Sequence, residues 1–448
     1  LGDAGVLELG VERAETLDGR FAGAGMDAPL DRMTGARLVW RRELAGGDLA
    51  VRAWRNEVEH VMDNFSLRPQ PMMAMRVPAT SDTQGGDLRF DTEAGAWSLT
   101  LGLDVSANRR QATRFAGSSP DALTMVNAFL WPDARLDQAG AYAEGSRALG
   151  EGRLTAGLRV DRFRAEARRA AQAPSPMAMA PAGLYAMYYG TSDTRRDDTG
   201  FSGLLRFEQP LADGLTGFAG LSRTQRAADA TELYLASTAA MPSGRWIGNP
   251  GLAPEKHLQL DLGLAWQGEA ASASLAAFVD RVDDYILRDR ARGQDGVLAN
   301  DGATIYRNVE ARLSGLELEA DWQLAPGLRL EAEAAWVRGQ NLEDDRPLAQ
   351  MPPLNSTLAL AWDTRAGEWR ASLRGAARQD RVDDSVLTGS GLDARRTPGF
   401  GVLDLGWSRA FGEHRLRLEV RNAFDRSYAE HLNRANLDPF NPDPVQVN

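Results

Sequence analysis

Two residue types in this chain carry side chains suited to holding a soft metal ion, histidine and methionine. His60 and Met62 stand two apart in Glu59-His60-Val61-Met62. In a strand, residues i and i+2 point to one face, so an imidazole and a thioether converge there while Val61 points away. That donor pair suits Cu(I), whereas a hard cation would want carboxylates. Shortly after it, Pro71-Met72-Met73-Ala74-Met75 offers Met72, Met73 and Met75, and Met177, Met179 and Met187 form a second group. Thioethers bind monovalent copper without losing a proton, which suits capture and hand-over. Taken alone, a His and a Met two apart are usually packing or loop residues, and Met-rich loops are usually flexible apolar surface. A bidentate pair also leaves a metal under-coordinated, so further ligands are needed. His257 at a strand start, His414 in a short turn and His431 after the penultimate strand read as structural.

The elements that must position these residues are strands. In Trp97-Ser98-Leu99-Thr100-Leu101-Gly102-Leu103-Asp104-Val105 apolar and small or polar residues alternate, as one face in grease and the other in water requires. The pattern returns in Leu258 to Leu264, Leu316 to Trp322 and Leu416 to Arg421. Around the proposed ligands, Leu49, Val51, Ala53 and Val61 share the odd face. Arg52, Asn56, His60 and Met62 share the even one, read as the lumen, although Trp54 breaks the pattern. Tight links at Gly150-Glu151-Gly152, Ala325-Pro326-Gly327, Arg365-Ala366-Gly367-Glu368 and Gly412-Glu413 predict antiparallel hairpins. Long connections, such as Ala165 to Asp198 and Thr224 to Lys256, alternate with them. Roughly 16 to 18 segments, many of about 9–13 residues, come near the length a tilted strand needs to cross a bilayer. Trp131, Tyr142, Tyr185, Tyr188, Tyr189, Tyr285, Tyr306 and Tyr428 fall near strand ends, as interfacial girdles would. The expected architecture is an all-β, transmembrane, antiparallel up-and-down barrel; the alternative is a soluble all-β binding module such as a propeller or sandwich.

Composition removes other classes. With 448 residues, no cysteine and a net charge of −11, thiolate sites and disulfide scaffolds are out, and no basic stripe is present for nucleic acid. No run approaches a membrane helix. Gly-x-Ser-x-Gly, Walker, His-Glu-x-x-His and EF-hand spacings are all missing, so an enzyme is not expected. Asp283-Asp284, Glu343-Asp344-Asp345 and Asp383-Asp384 read as solvated loop charge, with room for divalent ions among lipopolysaccharide heads.

Several segments resemble the barrel of TonB-dependent outer-membrane receptors. They are Asn249-Pro250-Gly251-Leu252-Ala253-Pro254-Glu255, Ser314-Gly315-Leu316-Glu317, Met351-Pro352-Pro353, Thr397-Pro398-Gly399-Phe400 and Asn422-Ala423-Phe424-Asp425-Arg426-Ser427-Tyr428, in the family's order. Glu59 to Arg68 with Pro71 to Met75 is similar to the copper receptor branch. That resemblance implies a 22-stranded barrel in the outer membrane of a Gram-negative bacterium. It also implies a plug that engages the TonB energy-transducing complex, and copper as the transported substrate. His60 and Met62 would be barrel ligands, a plug Cys-x-x-x-Met pair would supply the rest, and a siderophore or other chelate is the alternative cargo. Residues 1–448 are then expected to be a partial barrel. Hairpin-like sequence already begins at Val6-Leu7-Glu8-Leu9, no plug is visible, and the closing strand is missing at Pro444-Val445-Gln446-Val447-Asn448.

Overall fold

A computed structural model describes residues 5–21, 23–69, 71–393 and 395–433. The expectation about a closing strand therefore falls outside the described residues. Alternating sequence becomes strand throughout: β1 (Val6–Gly19), β2 (Asp27–Leu44), β3 (Gly47–Asp63), β4 (Ala74–Ala94), β5 (Trp97–Gly117), β6 (Met125–Leu149), β7 (Gly152–Ala167), β8 (Arg195–Ala212) and β9 (Leu215–Arg226). After two short pieces, β10 (Ala236–Ser237) and β11 (Trp246–Ile247), come β12 (Glu255–Gln267), β13 (Ala271–Arg290), β14 (Thr304–Ala325) and β15 (Leu328–Asn341). The two-residue β16 (Arg346–Pro347) precedes β17 (Asn355–Thr364), β18 (Gly367–Ala376), β19 (Phe400–Phe411) and β20 (His414–Val420). All twenty belong to one sheet. Its long strands pair antiparallel with their neighbours in chain order, and the sheet is not closed.

Connections at one rim are two or three residues long: 45–46, 95–96, 150–151, 213–214, 268–270, 326–327, 365–366 and 412–413. All four hairpins expected from sequence are among them. At 150–151 and 412–413 the backbone turns through Gly150 (φ 61) and Gly412 (φ 60), which only glycine does without strain. The opposite rim carries every long loop: 20–26, 64–73, 118–124, 168–194, 227–254, 291–303, 342–354 and 377–399.

Register shows which face is outward and apolar. Leu258, Leu260, Leu262 and Leu264 of β12 are exposed and pair with Arg281, Val279, Ala277 and Leu275 of β13, which face Arg312, Ser314, Leu316 and Leu318 of β14. The outer band thus runs continuously from strand to strand. Its lower edge is lined by tryptophan next to the short turns: Trp40, Trp97, Trp266, Trp322, Trp362, Trp369 and Trp407. Trp362, Trp369 and Trp407 stand in one row across β17, β18 and β19. A girdle exists, then, but not from the residues expected. Tyr142 faces inward and lies over Gly102, where a Cβ would meet its ring at 2.2 Å. Tyr185, Tyr188, Tyr189 and Tyr306 belong to a loop core. Trp131 packs on Val77, Ala79 and Ala112, Tyr285 on Val282, Leu287 and Val309, and Tyr428 stacks on Phe400. These aromatics sit near strand ends because loops pack there, and period-two patterning does not distinguish a loop core from a lipid interface.

Several strands also exceed the expected length, up to the 25 residues of β6. Their extra residues extend above the apolar band on the long-loop side, where residues such as Ile286 of β13 and Ile305 of β14 pack into loop cores and alternation fades.

A single-layer wall has no interior of its own, so the main buried core lies in the long loops. Helix α1 (Pro181–Tyr189) starts on a proline and ends on Gly190, whose left-handed backbone returns its N–H to Ala186 O. Helix α2 (Ala230–Tyr234) is closed by a capping box of Asp229 and Glu232. Leu184, Tyr185 and Tyr188 of α1 pack with Leu233 and Tyr234 of α2, Ile247, Leu252 and Ile305. The tyrosine hydroxyls donate to Tyr234 O from Tyr185 (2.6 Å), to Asp301 Oδ2 from Tyr188 (2.7 Å) and to Ile247 O from Tyr189 (2.8 Å).

The acidic runs also differ from expectation. Asp289, fully buried, accepts from Arg307 Nε (2.9 Å), Arg346 Nη2 (2.8 Å) and Arg292 Nη2 (3.0 Å). Arg307 also bonds Glu343 and Asp344, while Arg346 reaches Asp344 and the buried Asp383. Glu343, Asp344 and Asp383 are therefore ion-paired anchors that tie loops 342–354 and 377–399 to β13 and β14, not solvated charge.

Candidate metal-binding site at the loop end of β3

Register places His60 and Met62 as their spacing predicts. The odd residues of β3 lie beside Phe90 and Leu88 of the outer band, with Leu49 opposite Phe90 and Val51 opposite Leu88. The even residues, Arg52, Trp54, Asn56, Val58, His60 and Met62, therefore face the lumen, and Trp54 joins this face without breaking the pattern. Its ring lies over Gly85, the only kind of neighbour that leaves it room.

Three strands build the surroundings of the imidazole. Asp31 of β2 is directly opposite His60, and its Oδ2 lies 3.4 Å from His60 Nδ1. A carboxylate at Nδ1 orients the ring and leaves Nε2 free to bind. On the other side His60 pairs with Ala79, and Ala79 with Ala112; both are small and buried beneath Met26, Leu130 and Trp131. The imidazole itself is 30% exposed. Met62 is opposite Val77, and Met75, two residues from Val77, shares that face by alternation. Asn64 holds the connection: its N–H donates to Met75 O (3.3 Å), its Oδ1 accepts from Met75 N (2.8 Å) and its Nδ2 donates to Met73 O (3.1 Å).

His60, Met62 and Met75 thus share the lumen face at the end of the β3–β4 hairpin. Met72 and Met73 do not join them; Met72 is fully exposed on the loop. Met177, Met179 and Met187 are exposed in loop 168–194, with Met187 Sδ 3.9 Å from Arg245 Nη1. Sequence reasoning missed three neighbours. Asp31 backs the imidazole, Met33 faces the lumen opposite Val58, and Met26 packs against the Val77–Ala79–Ala112 patch. A signal for two of them exists. Across the tight turn at Ala45-Gly46, Leu44 pairs with Gly47, and counting outward from it gives Met33 with Val58 and Asp31 with His60. All twelve methionines lie in the long loops or in the strand halves that adjoin them.

Among the described residues no group of three or more His, Cys, Asp or Glu is arranged to hold a metal ion, so a soft-donor site here depends on thioethers. Both nitrogens of His257 face carboxylates, Asp280 (2.7 Å) and Glu255 (3.5 Å), and His431 lies beside Thr397 Oγ1 (3.0 Å). Their structural reading stands. A groove of about 640 Å³ across β4 to β8 is lined by Leu88, Phe90, Leu101, Leu103 and Phe201. It is part of the lipid-facing wall and has no link to His60.

Residues 14–423 match the family described as TonB dependent receptor-like, beta-barrel. No curated protein sequence matches the chain. Among solved structures, the copper transporter OprC aligns with a TM-score of 0.81 at 28% identity, over 97% of this chain and 66% of that one. The ferric yersiniabactin uptake receptor FyuA from Yersinia pestis has a TM-score of 0.65 at 15% identity, over 90% of this chain and 58% of that one. For the ferric citrate transporter FecA the values are 0.67, 15%, 89% and 57%. These last two share the fold. The chain spans less than two thirds of the length of each of these three proteins.

Proposed function

This chain belongs to the TonB-dependent receptor β-barrel family, whose members are receptors and transporters of the Gram-negative outer membrane, and we propose that it is the barrel portion of a copper-uptake receptor. Copper is the transported substrate. One observation carries this reading: the imidazole of His60 and the thioether of Met62 belong to the same lumen face of β3, with Asp31 behind the ring. A thioether–imidazole set selects a soft monovalent ion over harder competitors. The exposed thioethers of Met72, Met73, Met177, Met179 and Met187 meet the ion at the rim, and His60, Met62 and Met75 receive it in the lumen. Release inward falls to a plug domain and the TonB complex, the partners that the family implies, and residues 1–448 supply the wall around them. The copper cargo named for OprC supports the same reading.

The test is copper retained by the full-length receptor after loading with Cu(I) under reductant and gel filtration. Wild type is expected to keep the metal, and His60→Ala with Met62→Ala to weaken retention on the order of 100-fold, at or beyond the upper end of what losing an outer-shell partner costs. A receptor for a ferric chelate would retain no copper and would bind its siderophore equally well in both forms. That result overturns the copper assignment and leaves the family untouched.

A further inference from the structure

Besides binding a soft ion, a thioether sulfur can take up one oxygen atom and become a sulfoxide. Access sets how readily this happens, and the methionines of this chain differ widely in access. Met72 and Met177 are fully exposed, and each directly follows a proline. Ala178 N donates to Ser175 O (3.1 Å), so Pro176 and Met177 are the two central residues of a turn. Pro71 and Met72 stand just before Met73, whose carbonyl accepts from Asn64 Nδ2 (3.1 Å). Other rim methionines are partly covered. A Cβ on Gly183 would meet Met179 Sδ at 3.4 Å, and Met187 Sδ lies 3.9 Å from Arg245 Nη1. Nearer the wall, Met26 packs on Val77, Ala79 and Ala112, Met351 packs on Val282, Leu287 and Leu348, and Met62 and Met75 are partly buried.

The two tips offer little other reactive chemistry. From Ala170 to Ser192, and from Pro69 to Met75, the chain carries no charged residue, and it has no cysteine at any position. A neutral two-electron oxidant such as hydrogen peroxide therefore meets thioethers there before any other oxidisable group.

We propose that Met72 and Met177 are oxidation sites through which peroxide slows copper capture. The sulfide sulfur gives up two electrons and takes one oxygen from hydrogen peroxide. The O–O bond breaks, and the other oxygen leaves with both hydrogens as water. A sulfoxide presents a hard oxygen where a soft sulfur stood, so its hold on Cu(I) is lost. His60, Met62 and Met75 keep their donors, and an ion that reaches the lumen is still held. The change therefore falls on the rate of loading and not on the amount bound. This inference rests on the copper reading, because only a receptor that captures a soft ion loses anything by it.

The experiment treats the full-length receptor with hydrogen peroxide, removes the oxidant, and maps sulfoxides by peptide mass spectrometry. Loading is then followed as Cu(I) transfer from its bicinchoninate complex. Met72 and Met177 are expected to oxidise at least about 5-fold faster than Met62 and Met75, and loading to slow by about 5-fold at unchanged final occupancy. Methionine sulfoxide reductases specific for the two epimers should restore the rate. Met72→Gln with Met177→Gln should load as slowly as the oxidised wild type and respond little to peroxide. Earlier oxidation of Met62 or Met75, unchanged loading after full oxidation of Met72 and Met177, or slow loading that the reductases do not reverse would each overturn the proposal. Untreated wild type that takes up no copper would instead sink the copper reading and with it the effect on loading, while the peptide map still decides where the receptor oxidises.

Discussion

The wall at β2 to β5 and the sector capped by the long loops over β13 and β14 use the same strands in opposite ways. Around His60 the inner face carries Ala79 and Ala112, covered by Met26, Leu130 and Trp131, beside a partly exposed imidazole. Around Asp289 and Tyr185 the side chains are buried, ion-paired and hydrogen-bonded over long sequence separations. Strand ladders hold the first region, so removing one side chain there leaves the backbone pairing in place. Loops that would otherwise be free hold the second, and each anchor fixes many residues. Short-range register thus shapes the wall near His60, and long-range anchors shape the loops.

The largest effect tests the anchored side. Asp289→Ala takes from the buried guanidinium groups of Arg307 and Arg346 the carboxylate they share, leaving each with its remaining partners, and should cost about 3 kcal/mol. It should be read as a lower heat-modification midpoint and faster proteolysis of loops 342–354 and 377–399; an unchanged midpoint would erase the contrast. The ladder-held side should behave oppositely: His60→Ala should change stability by no more than about 0.5 kcal/mol while copper retention collapses. A large loss of stability there would make His60 a packing residue. Asp31→Asn, which keeps the shape but weakens the hold on the ring, should reduce copper affinity about 10-fold without a change in midpoint. The smallest effect is a pH dependence in the loop core. Burial first, and then donation to Asp301, push the Tyr188 hydroxyl up to about 12. Its raised value contributes stability that is fully present below pH 10 and lost as pH rises through about 12. An ultraviolet titration should show Tyr188→Phe removing one late-ionising tyrosine.

Some of this was open to reading in advance. Period-two patterning in Leu258 to Leu264, the tight turn at Gly412-Glu413 and the even face of β3 all survive in the structure, because each depends on neighbours within a few residues. Asp31 was missed although the Ala45-Gly46 turn sets its register. The tyrosines of α1 and the Glu343-Asp344-Asp345 run were misplaced, because period two describes a strand and says nothing of where a loop folds back. Tyr185 meets a carbonyl 49 residues away, and Arg346 a carboxylate 37 residues away.

By itself the sequence determined the strands, the two faces of the wall, the short-turn rim and the shared face of His60 and Met62, since extended backbone alternates whatever surrounds it. Only the tertiary structure decided that Asp31 stands behind the imidazole, that tryptophans rather than tyrosines ring the lower edge, and that Glu343 and Asp344 anchor their loop to Arg307. Those outcomes depend on which strand lies beside which and at what height, and side-chain packing and electrostatics act across that distance, not along the chain.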